Sequence, residues 1–143
     1  MTKIFCDIAE LNTIRKFNNK KIVKGFTTNP SLMRNAGAKN YSQYSKKILK
    51  ISKKKPVSLE VFADDMRNMR KQALIINSWG NNVYVKIPVT NSKGKFMGKL
   101  IKDLNNLNIK LNITAVYTSS QTRQILKNLN KKSKVIISIF AGR

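Results

Sequence analysis

The sequence predicts an α/β fold in which the short strands of one parallel sheet alternate with amphipathic helices. Six apolar, β-branched runs are bounded by polar or turn residues, and between them apolar residues recur at about the 3.6-residue period of a helix. Strands that alternate strictly with helices are joined by crossover connections, which make neighbouring strands parallel. No linker or low-complexity tract interrupts this pattern, so we expect one domain over residues 1–143.

The strands are predicted where β-branched and aromatic residues are concentrated. The first ends before Asp7, and the fourth stops at Pro88 because proline cannot continue a sheet ladder. In order, the predicted strands cover residues 3–6, 24–27, 57–61, 82–87, 110–114 and 135–140.

The helices are predicted from apolar stripes and capping residues. Residues 41–54, for example, carry Tyr41, Tyr44 and Ile48 on one face. A shorter helix begins at Pro30, because proline suits the first helical position and Asn29 suits the cap before it. The other predicted helices cover residues 10–17, 64–78, 96–107 and 120–129.

Length and composition limit the possible function classes. A chain of 143 residues that is 41% hydrophobic can bury a sizeable core in one domain. The apolar runs are far shorter than the roughly 20 residues that span a bilayer, so we expect no membrane partner. A single cysteine, Cys6, excludes an internal disulfide and favours a reducing cytoplasm. The sequence has no histidine, which excludes a histidine-containing zinc site and the Ser-His and Cys-His nucleophile pairs.

The charge balance raises the possibility of a polyanionic partner. The net charge is +23, from 29 Lys and Arg against 6 Asp and Glu, which by itself suggests nucleic acid. The cations are scattered in groups such as Lys53–Lys55 and Lys131–Lys132, without interleaved aromatic residues or a nucleic-acid-binding motif. We therefore favour a solvated basic surface and do not expect nucleic acid as a partner.

Polar side chains follow or interrupt the apolar runs at the carboxyl ends of the predicted strands. In chain order they are Asp7, Asn29, Ser31, Glu60, Lys86, Asn112, Thr114, Ser138 and Arg143. In a parallel barrel these strand ends meet on one face, where active sites lie. Two of the six acids are among them, in settings where a carboxylate is costly to bury unless it is paired.

Lys86 is the most informative of these residues, because it lies near the end of an apolar run that stops at Pro88. A lysine whose stem is desolvated at the rim of a sheet is suited to Schiff-base chemistry, since the neutral amine is the nucleophile. The ordinary alternative is a strand-end lysine that extends into solvent.

Six motifs together resemble the transaldolase family, especially its small bacterial members. They are Asp7-Ile8-Ala9, Gly25-Phe26-Thr27-Thr28-Asn29-Pro30-Ser31-Leu32, Ser58-Leu59-Glu60-Val61, Val85-Lys86-Ile87-Pro88-Val89-Thr90, Asn112-Ile113-Thr114 and Ser138-Ile139-Phe140-Ala141-Gly142-Arg143. They occur in the family's order and cover essentially the whole chain. The resemblance implies a TIM (β/α)8 barrel and a class I aldolase that transfers a dihydroxyacetone unit between sugar phosphates, with no metal or cofactor.

The resemblance also implies four catalytic roles. Lys86 would hold the three-carbon unit as an imine, and Asp7 would exchange protons with substrate hydroxyls. Glu60 and Thr114 would hold a catalytic water. Without the resemblance, Asp7 could equally cap the following helix, and Glu60 would more often belong to a structural ion pair.

Five further residues are implied in substrate binding: Asn29, Ser31, Asn112, Ser138 and Arg143. Asn29 and Asn112 would contact substrate hydroxyls or the intermediate, with a helix cap and a turn as their structural alternatives. Ser138 and Arg143 would form the anion end of the site, because a guanidinium binds phosphate through two hydrogen bonds.

Two departures from the family pattern affect these expectations. The family usually has proline where this chain has Ile139, which we expect to alter loop geometry but not chemistry. A complete barrel usually needs about 200 residues or more, so we expect about six βα units and the absence of the last two. Exposed strand edges would then favour pairing with another copy, and we expect a homo-oligomer.

Three function classes therefore stay open. A transaldolase-type aldolase leads, and Glu60 and Phe140 favour transfer over simple aldol cleavage, because related fructose 6-phosphate aldolases tend to carry Gln and Tyr there. A catalytically silent truncated fragment or partner-binding remnant is second. A basic nucleic-acid-binding module is third. The sequence leaves the acceptor aldehyde and the exact sugar open.

Overall fold

The computed structural model describes residues 2–141, which contain six strands and six helices; one helix joins each pair of successive strands, except that two helices lie between the second and third. The strands are β1 (Ile4–Asp7), β2 (Val23–Thr27), β3 (Val57–Glu60), β4 (Val83–Pro88), β5 (Leu111–Val116) and β6 (Val135–Ile139). The helices are α1 (Leu11–Asn18), α2 (Pro30–Asn35), α3 (Tyr41–Ser52), α4 (Met66–Asn77), α5 (Gly98–Asn106) and α6 (Ser119–Lys127). The strands are hydrogen-bonded in chain order. This confirms the predicted α/β class with six βα units of the (β/α)8 type.

The element bounds agree with the sequence prediction to within about two residues, and the differences have local causes. Helix α4 begins at Met66, after Asp65, whose side chain accepts a hydrogen bond from Asn68 N at 2.9 Å. Helix α5 begins at Gly98 because Phe96 instead forms a short antiparallel bridge with Thr90. That bridge has no signal in the hydrophobic pattern.

The described residues form two compact units. The first comprises the chain up to Glu60 together with Ile76–Tyr84, and the second comprises Val61–Ile75 and the chain from Val85 onward. No helix within the described part of the chain is long and apolar enough to cross a membrane.

The core of the first unit lies between its strands and helices α1 to α3. Phe26 on β2 is fully buried and is the Cα partner of Val57 on β3, which is also fully buried. Ile14 of α1 and Ile48 of α3 are fully buried as well. Each such side chain contributes about 1.5 to 3 kcal/mol through removal of its apolar surface from water.

The core of the second unit is built from the alternate residues of its strands. Ile87, Ile113 and Ile137 are successive Cα partners on β4, β5 and β6. They alternate with Lys86 and Asn112, so the polar residues lie on the opposite face of the strands. This alternation separates an apolar face from the face that carries the candidate functional residues.

Gly25 on β2 marks a close approach within the first unit. A Cβ atom at this position would lie against the ring of Phe5 on β1 and 2.8 Å from the carbonyl oxygen of Pro56. The carbonyl is part of the backbone and accepts a hydrogen bond from Phe26 N at 2.8 Å, so it cannot move without loss of that bond. Glycine is therefore required here by packing.

We expect Gly25→Ala to lower the free energy of unfolding by about 1 to 3 kcal/mol, the usual cost of overpacking. Urea unfolding of the chain measures this change. Gly80→Ala is the matched control, because its Cβ would meet only the side chains of Asn82 at 3.2 Å and Leu49 at 3.6 Å. Equal midpoints for the two variants would contradict the packing argument.

Candidate active site

Lys86 is a nearly buried lysine in the second unit. Lys86 lies toward the carboxyl end of β4 and is only 8% exposed. Its Cα partner on β5 is Asn112, which is 1% exposed, and partner residues in a parallel pair share one face. Lysine is almost never this buried unless it is paired or functional, so the alternative of a solvent-exposed lysine is wrong.

Asn112 is held in place by β6. The hydroxyl of Ser138 donates a hydrogen bond to Asn112 Oδ1 at 2.7 Å. This contact orients the buried amide, since its oxygen faces Ser138 and its amino group is directed elsewhere. The structure thus brings Asn112 and Ser138 together, Asn112 on β5, which adjoins β4, and Ser138 on β6, which adjoins β5.

Thr114 carries a buried hydroxyl group that has no hydrogen-bond partner among residues 2–141. The residue is 3% exposed, and within the described part of the chain its Oγ1 has no hydrogen-bond partner. It lies two residues after Asn112 on β5 and is the Cα partner of Pro88, so it shares the face of Lys86. A buried hydroxyl without a partner costs about 1 to 3 kcal/mol, which marks it as a group with a use beyond packing.

The backbone next to Thr114 is strained. Ala115 has φ 57°, in the left-handed region that residues other than glycine rarely adopt, and the β5–β6 register is irregular between Ile113 and Val116. Such a bulge re-aims the neighbouring side chain. The Thr114 carbonyl still accepts a hydrogen bond from Val89 N at 2.9 Å, so the strand stays anchored on its β4 side.

The loop that follows β4 is fixed by an acidic side chain. Asp64 Oδ1 accepts from Ser92 N at 2.7 Å and Asp64 Oδ2 from Ser92 Oγ at 2.6 Å. The hydrogen bond from the Ser92 hydroxyl, and after it the one from the Ser92 backbone, hold the pKa of Asp64 below its usual range. The sequence analysis did not identify this contact, because it joins residues on different loops.

In the first unit, Asp7 lies at the carboxyl end of β1. Its Oδ1 accepts a hydrogen bond from the hydroxyl of Thr27 on β2 at 2.8 Å, and the two residues are Cα partners. The alternative that Asp7 caps the following helix is wrong. Glu10 is the cap of α1, with its carboxylate accepting from Asn12 N and Thr13 N. The hydrogen bond from the Thr13 hydroxyl, followed by these two backbone hydrogen bonds, lowers the pKa of Glu10.

Asn29 and Ser31 lie at the start of α2. Asn29 Oδ1 accepts from Leu32 N at 2.9 Å, so the capping role that the sequence left open is present. The cap uses only the side-chain oxygen, and the amide NH2 group is not part of it. Ser31 is exposed in the first turn. Arg143 lies outside the described residues.

Glu60 ends β3, and Tyr41 fixes its backbone. The Tyr41 hydroxyl accepts from Glu60 N at 2.9 Å and donates to Glu60 O at 3.0 Å. Burial raises the pKa of Tyr41 above its usual value, so the hydroxyl keeps its proton and remains a donor. The Tyr41 ring packs against Trp79 with centroids 5.8 Å apart. The sequence analysis assigned Tyr41 only to the apolar stripe of α3 and missed this contact.

Within the described residues, no three His, Cys, Asp or Glu side chains are grouped so that they could hold a metal ion. The candidate residues of the second unit, Lys86, Asn112, Thr114 and Ser138, instead provide an amine, an amide and two hydroxyl groups. Such a set can form and hydrogen-bond a covalent carbonyl adduct.

Comparison with known proteins decides the family. A sequence model described as transaldolase/fructose-6-phosphate aldolase matches residues 4–143. The chain belongs to this family. The resemblance inferred from the motifs is therefore confirmed.

Curated relatives agree with this family assignment. A probable transaldolase of Methanococcus maripaludis is 38% identical over 141 residues, which cover 99% of this chain and 61% of the relative. Probable transaldolases of Nitrosopumilus maritimus and Thermoplasma volcanium are 36% and 35% identical and are covered to 59% and 60%. The chain thus spans about 60% of the length of the curated relatives that it matches.

Replacement of Tyr41 tests its contact with Glu60. Tyr41→Phe removes one hydroxyl and leaves both Glu60 N and Glu60 O without that partner, so we expect the free energy of unfolding to fall by about 1 to 3 kcal/mol. Denaturant unfolding measures it. The control is Tyr117→Phe, since Tyr117 is 57% exposed and its change should stay within about 0.5 kcal/mol. A loss no larger than in the control would show that the contact does not stabilise the chain.

Proposed function

We propose that this chain acts as a transaldolase-type class I aldolase, in which Lys86 forms an imine with a ketose phosphate. The observation that carries the proposal is the nearly buried Lys86 beside Asn112, on the strand face that also holds the Thr114 hydroxyl, which has no hydrogen-bond partner in the described part of the chain. Family membership supports the same reaction class. No other described lysine has comparable burial.

In the proposed reaction the Lys86 amine attacks the ketose carbonyl, and loss of water from the carbinolamine gives a protonated imine. The cationic nitrogen then accepts the electron pair of the neighbouring C–C bond, and an aldehyde leaves while the three-carbon unit stays on Lys86 as an enamine. Addition of the enamine carbon to an acceptor aldehyde forms the new C–C bond. Water finally attacks the imine and releases the product and the amine.

The proton and water steps are assigned to the remaining polar groups. Asp7 takes the proton of the substrate hydroxyl as the C–C bond breaks and returns it when the new bond forms. Thr114 binds the water that leaves and returns at the imine carbon, because its Oγ1 is buried and has no partner among the described residues. Glu60 carries the proton of that water, with its backbone fixed by Tyr41.

Substrate binding is assigned by hydrogen-bonding capacity. The amide groups of Asn112 and Asn29 bind hydroxyls of the three-carbon unit, and Ser31 extends this set with an exposed hydroxyl. Ser138, which orients Asn112, contributes with Arg143 to phosphate binding.

The finer assignments follow from the family and the composition. We propose sugar phosphates of the pentose phosphate pathway as substrates and transfer rather than simple cleavage, on the basis of Glu60 and Phe140. The free Cys6 fits a reducing compartment, and we place the reaction in the cytoplasm of the cell. We further propose that the chain associates with copies of itself as a homo-oligomer.

Trapping of the imine tests the central step. Borohydride reduction in the presence of fructose 6-phosphate should leave one adduct, and peptide mass mapping should locate it on Lys86. Lys86→Arg should abolish the adduct because a guanidinium stays protonated. Lys99→Arg, an exposed change on α5, is the control and should leave the adduct intact. An adduct on another lysine, or none, would refute the assignment and favour a catalytically silent chain.

The role of Thr114 predicts opposite effects on rate and stability. Thr114→Val keeps the shape but removes the hydroxyl, so turnover of the imine should fall by about 10²-fold, the scale of lost acid-base assistance. Stability should stay the same or rise, because a buried group without a partner is removed.

Thr28→Val is the matched control for this stability effect. Its Oγ1 is buried and donates to Ser58 O at 3.0 Å, so this variant should be destabilised by about 1 kcal/mol. Single-turnover kinetics and thermal melts of both variants give the readouts. A Thr114→Val variant that keeps its full rate would remove Thr114 from the mechanism.

A further inference from the structure

Three hydrogen bonds join the segment that follows β3 to the segment that follows β4. The carboxylate of Asp64 accepts from Ser92 N at 2.7 Å and from Ser92 Oγ at 2.6 Å, and Asp64 O accepts from Asn91 Nδ2 at 3.2 Å. These three contacts form the Asp64 brace. Asp64 and Ser92 are 28 positions apart, and both belong to the second unit. Because the acceptor in two of the contacts is a carboxylate, these are stronger than hydrogen bonds between neutral groups.

Each segment that the brace joins is ordered by a side chain of its own. After β3, Gln72 Oε1 accepts from the two backbone nitrogens of residues 62–63, at 2.7 Å and 2.9 Å. After β4, Asn91 Oδ1 accepts from Lys93 N at 3.1 Å and from Lys95 N at 2.9 Å, which closes a turn. The brace therefore connects two ordered segments, so its loss would be transmitted to the strand ends.

The brace follows a point where Pro88 interrupts the hydrogen bonding of β4. Val61 N donates to Lys86 O at 3.2 Å. In a parallel pair, the next bond along would run to Val61 O from the residue two positions after Lys86. That residue is Pro88, which has no N–H to donate. The Asp64 brace supplies hydrogen bonds between the same two segments beyond this interruption.

Together the brace and the Val61 hydrogen bond form a closed loop of backbone that includes Lys86. The loop runs along the chain from Lys86 to Ser92 and crosses the brace to Asp64. It then returns along the chain to Val61 and crosses the hydrogen bond to Lys86 O. A closed loop has fewer conformations than an open one, so loss of the brace would give the backbone of Lys86 more freedom.

The brace acts on one edge of the segment after β4, because the other edge is anchored independently. Val89 is fully buried, and its N–H donates to Thr114 O on β5 at 2.9 Å. Val89 O accepts from Met97 N at 2.9 Å, and Met97 is 1% exposed. Loss of the brace should therefore loosen the end of β4 without unfolding the second unit.

We propose that Asp64 is a positioning residue for Lys86, which it holds through the closed loop in the orientation that attack on the ketose carbonyl requires. The inference rests on the class I aldolase function proposed for this chain. Asp64 is exposed and acts through Ser92 and the backbone, not on the substrate. A displacement of about 1 Å at a reacting group can lower a rate by about 10²-fold, so a tie of this kind matters for the reaction.

The rate of imine formation with fructose 6-phosphate tests this role. Borohydride is added at successive times, and peptide mapping measures the adduct on Lys86. Asp64→Ala should lower the maximal rate by about 10-fold or more, while the sugar concentration at half-maximal rate changes by less than about twofold, because orientation and not binding is lost. Equal maximal rates in Asp64→Ala and the unaltered chain would overturn the positioning role.

Asp65→Ala is the matched control for stability. Asp65 is also exposed, and its carboxylate also accepts two hydrogen bonds, from Asn68 N at 2.9 Å and from Asn68 Nδ2 at 2.8 Å. These contacts are local to the start of α4 and do not join two segments. Asp65→Ala should lower the melting temperature to an extent similar to Asp64→Ala but leave the rate of imine formation unchanged. An equal loss of rate in both variants would overturn the inference, since the rate would then follow stability.

Variants of Ser92 test the contact itself. Ser92→Ala removes the hydroxyl donor and should lower the rate several-fold, whereas Ser92→Thr keeps a hydroxyl and should retain the rate. In the Asp64→Ala background, Ser92→Ala should cause no further loss, because both residues act through one contact. Additive losses, or an equal loss in Ser92→Thr and Ser92→Ala, would overturn the brace as the cause.

Amide hydrogen exchange without sugar separates failure of this inference from failure of the proposed function. The Val61 N–H, which donates to Lys86 O, should exchange faster by about 10-fold in Asp64→Ala, because local opening becomes easier. Unchanged exchange would overturn the brace even if the unaltered chain forms the imine. An unaltered chain that forms no imine would instead refute the aldolase function, and with it any positioning role for Asp64.

Discussion

The register of the parallel strands is the constraint on which the candidate site depends. Partner residues of a parallel pair lie on the same face, so the pairing of Lys86 with Asn112 decides what surrounds the amine. A shift of one residue would place Ile87 on the polar face and Lys86 among the apolar side chains. The apolar partners Ile87 and Ile113 prevent that shift, because both are fully buried and would lose their packing. The packing of the apolar face thus fixes the register, and the register fixes the positions of the polar residues on the opposite face.

The buried polar groups differ in how far the protein satisfies them. Glu60 has both backbone groups bonded by Tyr41, and Asn112 is oriented by Ser138, so these positions are rigid. Among the candidate site residues Thr114 differs, because its buried Oγ1 has no hydrogen-bond partner within the described residues. A fully satisfied network favours one conformation, whereas an unsatisfied group lowers stability until a ligand or water pairs with it. The protein therefore accepts an energetic cost next to Lys86 and avoids it at the supporting residues.

The sequence was sufficient for the strands, the helices and the placement of polar residues at strand ends, because these follow from local periodicity and parallel topology. The cap formed by Asn29 was also predictable, since capping depends on residues only three apart. The contact of Tyr41 with Glu60 was not predictable, because it joins residues that are 19 positions apart. The proximity of Lys21 and Lys24 to Lys53–Lys55 was not predictable for the same reason, although Lys53 and Lys54 are exposed, as expected of a solvated basic run.

Charge alone can give this chain little selectivity among anions. With a net charge of +23, phosphates are attracted to much of its surface, and at physiological salt this attraction decays over about 8 Å. Discrimination between one phosphate and another must then come from uncharged groups whose geometry is fixed and whose desolvation has a cost. Thr114, on the strand face of Lys86, is a group of this kind, with a buried oxygen that lacks a hydrogen-bond partner among the described residues. Since a bound molecule that cannot pair with such an oxygen leaves it unsatisfied, the same feature that lowers stability gives this place its selectivity.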